Sequence, residues 1–143
     1  MNEHTDETGK DTSPSIDWQE LAEHSSAYAD GATALSTRLA LIEDRLRELP
    51  GMFECEFYIG GTMQFVRWHR VSGEWTFGIR RALIQWVPLS QMRVAEKAEL
   101  AAGLPDLLLH MFREAKKRAE LVAVGLNCLD EAEFLIIGKK EGE

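Results

Sequence analysis

Phe65-Val66-Arg67-Trp68-His69-Arg70-Val71-Ser72-Gly73-Glu74-Trp75-Thr76-Phe77-Gly78-Ile79-Arg80 is the stretch whose reading decides the fold. Ser72-Gly73 suits a two-residue hairpin turn, in which positive φ is required and glycine adopts it without a Cβ clash. A turn there sets Val71 opposite Glu74, Trp68 opposite Phe77 and Val66 opposite Ile79. Trp75, Phe77 and Ile79 alternate with polar or small residues, as in a half-buried strand. Val66, Trp68, Phe77 and Ile79 are therefore expected on the core face.

Upstream, Phe53, Cys55, Phe57 and Ile59 alternate with Glu54, Glu56 and Tyr58. A two-residue Gly60-Gly61 turn would place Ile59 opposite Thr62, Phe57 opposite Gln64, Cys55 opposite Val66 and Phe53 opposite Trp68. Both turns then send the same side of the middle strand inward, and a one-residue slip at either would reverse it. The outer face follows. It puts Glu54 beside Arg67, Glu56 beside Phe65 and Arg80, Tyr58 beside Met63, and His69 beside Thr76. Opposite charges across strands suit a wet face. Phe65, Met63 and Tyr58 are more apolar than solvent requires, which marks the face as covered or as a binding surface.

On the amino-terminal side, Leu35, Leu39, Ile42, Leu46 and Leu49 recur at alternating spacings of four and three, a heptad seam on a helix from residue 33 to 49. Glu43, Asp44, Arg45, Arg47 and Glu48 fall on its wet side, and Pro50-Gly51 stops it. The seam can pack on the chain's own sheet or pair with a second copy in a homodimer. Before it, Trp18 to about Ala29 is compatible with a helix ended or kinked at Asp30-Gly31. Residues 1–17 read as a disordered acidic tail.

After the meander, 82–87 is apolar and could add a strand. Ser90 is a candidate N-cap and Gly103 a C-cap for a helix over 91–102, and Pro105 begins another over 105–124. In that helix Leu104, Leu108, Met111, Ala115, Ala119 and Val122 form one stripe. Gly125 is expected to end it, and 134–137 could add an edge strand before a charged tail at 138–143. The expected class is α+β: a three- to four-stranded antiparallel meander (53–81, with 82–87 or 134–137 as candidate additions) packed on one face by helices 33–49, 91–102 and 105–124. Residues 18–137 make one domain.

The chain has 143 residues, 45% of them apolar and 28% charged, with formal net charge −8. Residues 1–60 sum to −9, 61–120 to +4 and 121–143 to −3. The acidic total disfavours general attraction to phosphates. Cys55 and Cys128 have no metal-like spacing, and no disulfide framework is implied, which points to a reducing cytoplasm. No signal-peptide pattern or membrane-spanning run of apolar residues is seen, so no membrane partner is expected.

No catalytic set emerges, and no cofactor or metal is expected. His24 and His110 lack a second ligand at helical spacing, and no glycine-rich phosphate loop is present. His69 is the best candidate base, with no positioned partner. The expected function is a non-enzymatic protein-interaction protein (adaptor, chaperone-like or inhibitor) that binds another protein. Its candidate surfaces are the outer sheet face, carrying Tyr58, Met63, Phe65, Arg67, His69 and Arg80, and the heptad helix. The alternative is association with single-stranded nucleic acid, bases stacking on the aromatics and arginines holding phosphates. Glu54 and Glu56 count against it.

Overall fold

A computed structural model describes residues 15–59, 65–81 and 85–138. Helix α1 (Trp18–Arg47) leads into strands β1 (Cys55–Tyr58), β2 (Phe65–Val71), β3 (Glu74–Arg80) and β4 (Trp86–Pro88), then a short 3-10 turn, Leu89–Gln91, and helix α2 (Val94–Ile137). The strands form one antiparallel sheet in the order β1-β2-β3-β4. The architecture is α+β, as the alternation predicts.

The β2–β3 register matches the sequence reading: Trp68 pairs with Phe77 and Val66 with Ile79. Ser72 at φ 53° and Gly73 at φ 83° give the two positive-φ positions of a type I′ turn. The β1–β2 register differs by two residues, because Cys55 pairs with Trp68 and Tyr58 with Phe65. The turn at Gly60-Gly61, with Thr62, Met63 and Gln64, lies outside the described residues. A shift of two preserves the side on which each residue falls, so Cys55 still points into the core.

That core is built on Trp68 and Phe77, both 0% exposed, with Val66, Ile79, Val87, Leu39, Leu100, Leu104, Leu107 and Met111 around them. Trp68 stacks on Trp75 at 6.0 Å between centroids and lies 4.8 Å from Phe77. Its indole N–H donates to Met52 Sδ (3.2 Å). Both helices cover this one face of the sheet.

Helix boundaries depart most from expectation. α1 begins at Trp18, where the Asp17 carboxylate accepts from the Gln19 and Glu20 amides, and it runs unbroken through Asp30-Gly31. Ser90 does not cap a helix. It lies in the 3-10 turn, and α2 starts after Arg93, whose amide donates to Glu96 (2.7 Å). The expected 91–102 and 105–124 helices are one helix, and 134–137 is its last turn rather than a strand. Gly103 acts as a contact, not as a cap: a Cβ there would lie 2.4 Å from Ile59 Cδ1. Leu100, Leu104 and Leu107, all buried on the sheet, hold the helix through Gly103 and Pro105. The reading of 1–14 and 139–143 as tails, and of 82–84 as strand, concerns residues outside those described.

Glu43 provides the main correction in α1. The heptad places it on the wet side, yet it is 5% exposed. Beyond the short β4, which pairs only with Gly78–Arg80, the outward N–H and C=O groups of β3 at 75–77 have no strand beside them among the described residues. The Glu43 carboxylate accepts from the Phe77 amide (2.8 Å) and the Thr76 hydroxyl (2.7 Å), while Arg47 donates to the Trp75 carbonyl (2.7 Å). Arg47 also closes on Glu43 at 2.9 Å. One ion pair, a helical turn apart, thus satisfies the Phe77 N–H and the Trp75 C=O that a further strand would have paired.

Candidate functional site

Two surfaces bear on function. The first is the outer sheet face. Tyr58 is exposed and meets Phe65 edge-on at 5.4 Å. Arg80 lies 4.6 Å above the Phe65 ring, and Arg67 lies 4.0 Å above Trp86 and 3.9 Å from Glu56. These contacts make a ladder of aromatic rings and guanidinium groups across four strands. Trp86 belongs to it and was not assigned there from sequence; once 86–88 forms β4, the alternation that puts Val87 inside puts Trp86 outside. Of the expected residues, Tyr58, Phe65, Arg67 and Arg80 are brought together, and Met63 lies outside the described residues.

His69 is also on this side but is not offered to solvent. It is 8% exposed, lies against Trp86, and its Nε2 has no hydrogen-bond partner. A Cβ on Gly78 would sit 2.7 Å from that nitrogen, so only glycine leaves room for the ring. Burial first, and then Arg67, lower the His69 pKa, with Glu54 opposing. A neutral imidazole packed on a backbone carbon, with no acid or hydroxyl beside Nε2, is poorly placed for proton transfer. Cys55 is equally ill suited to nucleophilic attack, because burial and then Glu114 push its thiol pKa up, with Arg118 opposing. Among the described residues no group of three His, Cys, Asp or Glu side chains could hold a metal ion.

The second surface is the cleft between the helices. Lys97 Nζ donates to Ser36 Oγ (2.7 Å), and further along both helices Ile42 and Leu108 share a wall. The helices therefore run in the same direction, α1 extending past the start of α2 and α2 past the end of α1. Between them opens a cleft of about 610 Å³ lined by apolar side chains, Leu35, Ile42, Leu104 and Leu108 among them, with Arg38 as the charged group. Of the heptad seam, Leu39 is buried in its own domain, Ile42 and Leu46 pack against the core, Leu35 lines the cleft and Leu49 is half-exposed. The seam thus serves the chain's own core on one side and an open groove on the other.

No protein-family model, curated protein or solved structure matches this chain.

Proposed function

We propose that this chain is a non-enzymatic protein-interaction module that receives an apolar helical segment of another protein in the cleft beside the heptad helix. The observation that carries this reading is the cleft: an open, almost wholly apolar groove with one charged residue, Arg38, in its lining. Grooves between helices take amphipathic helices through apolar anchors at helical spacing, and a rim charge then sets orientation. The outer sheet face ranks second, because its arginines are already engaged by Phe65, Trp86 and Glu56.

Selection from a displayed library of amphipathic helical peptides tests the reading. Selected peptides should lose at least about tenfold in affinity against Leu35→Glu, where a carboxylate enters the groove, and be unchanged against Tyr58→Ala. Ligands that tolerate Leu35→Glu and fail on Tyr58→Ala would move the function to the sheet face. Salt-sensitive binding of single-stranded oligonucleotides would replace the protein partner with nucleic acid.

A further inference from the structure

The carboxyl-terminal half of α2 leaves the domain with an apolar stripe that nothing among the described residues covers. Near its start, α2 turns Ala101, Leu104 and Leu108 towards α1 across the cleft. α1 ends at Arg47, and α2 continues to Ile137. Arg118 lies 4.1 Å above the Phe53 ring, and residues 119–131 beyond it are all exposed. Residues 119–137 then project for about 28 Å at ~1.5 Å per residue. Steps of four and three from Leu108 lead along the same side to Phe112, Ala115, Ala119, Val122, Leu126, Leu129, Glu133 and Ile136, apolar at every station but Glu133. All of these are exposed, Ile136 at 83%. Where α1 stops, no other described element takes up the track it occupied against α2.

The stripe has a property that selects its occupant: it reads alike from both ends. Rotation by a two-fold axis at the level of Val124 puts Phe112 opposite Ile136, Ala115 opposite Glu133, Ala119 opposite Leu129 and Val122 opposite Leu126. The charges obey the same symmetry. Lys116 flanks the stripe near its base, Asp130 lies on the same flank near its tip, and Glu133 sits within the stripe at that end. An antiparallel partner brings Asp130 and Glu133 next to Lys116 at both ends of the pairing. A parallel partner would set Glu133 against its own copy within the stripe and leave Lys116 and Asp130 on flanks without the opposite charge, which costs stability.

We propose that the chain forms a homodimer by antiparallel pairing of residues 112–136 of α2 about a two-fold at Val124. The contact is isologous, so each residue pair occurs twice. The two α+β domains then stand at opposite ends of a central helical pair, and both interhelical clefts stay open. The dimer is independent of what those clefts receive, and Leu35→Glu should leave it intact.

Sedimentation equilibrium on the full chain tests the proposal. The parent should sediment as a dimer, and Leu126→Lys as a monomer with unchanged near-ultraviolet circular dichroism from the buried tryptophans. Lys116→Glu and Asp130→Lys should each raise the dimer Kd about tenfold, since each creates two like-charge contacts. The double variant should bind more tightly than Lys116→Glu, as charge swapping restores the 116–130 pair at both ends while Glu133 still faces a like charge at position 116. Lys117→Glu, on the opposite side of the helix, should change nothing. A parent monomeric at ~100 μM would overturn the proposal. So would a dimer indifferent to Leu126→Lys, or a double variant as weak as Lys116→Glu.

Discussion

The two halves of α2 are built from similar residues and have different environments. Leu100, Leu104, Leu107 and Met111 in the first half are buried against the sheet, while Leu121, Leu126, Leu129, Leu135 and Ile136 in the second are exposed, Leu121 at 72%. α1 shows the same division in reverse, with Trp18, Leu21 and Tyr28 exposed at its start and Leu39 buried further on. Helical stability in proteins comes chiefly from packing an apolar face. The difference teaches that an apolar stripe alone does not place a segment in the core. What places it is whether the chain supplies a surface of matching length, and here the sheet spans only the later part of α1 and the first half of α2. Large contiguous apolar surface left over marks an interaction site.

Substitutions in the packed and projecting parts should separate cleanly in chemical denaturation. Trp68→Ala, which removes the ring on which the packed halves rest, should cost about 3–5 kcal/mol. Glu43→Ala should cost about 3–5 kcal/mol, because Arg47, the Thr76 hydroxyl and the Phe77 amide all lose a buried partner. Leu107→Ala should cost about 2–5 kcal/mol, whereas Leu121→Ala in the projecting half should cost under about 0.5 kcal/mol in dilute protein. Equal losses at Leu107 and Leu121 would break the comparison. Arg67→Ala, on the outer face, should cost about 1 kcal/mol or less, since its pairing with Glu56 and its stacking on Trp86 are partly solvated.

The smallest effect is a pH dependence. His69 has a folded pKa below its ordinary value of 6.5, so the unfolded chain takes up the proton first as pH falls. Stability should therefore decline from about pH 6.5 down to the folded pKa and level off below it. Stability measured across that window should fall less steeply in His69→Gln. An unchanged slope would show that His69 titrates alike in both states.

The hairpin could be read from sequence because its turn residues and both of its strands carry the same instruction: positive φ at Ser72 and Gly73, and strict alternation on either side. β1 was harder, since Gly60-Gly61 suggested a shorter connection than the pairing of Tyr58 with Phe65 allows; side-chain alternation still gave the correct faces. Gly103 and Pro105 misled because local helix-breaking tendencies are about 1–3 kcal/mol, and long-range packing of the flanking leucines outweighs them. Gly125 lies in the exposed half of the helix, where an interior glycine costs only about 1 kcal/mol. Glu43 could not be found by periodicity. Its burial depends on β4 being shorter than β3, which leaves backbone groups that only a nearby carboxylate can reach. Trp86 joined the outer ladder for a related reason, since its side follows from β4, for which 82–87 gave no clean period. The cleft was half visible: the seam on α1 was plain, but its far wall requires α2 to run parallel beside it.

The ion pair of Glu43 and Arg47 has a consequence for solubility. Strands with open hydrogen-bonding groups are templates on which other chains add and grow into insoluble assemblies. Trp75-Thr76-Phe77, aromatic and rich in β-formers, is such a template, and two side chains from a helix are what shield it. Damage at either position would turn a folding defect into precipitation, well before the rest of the domain has come apart.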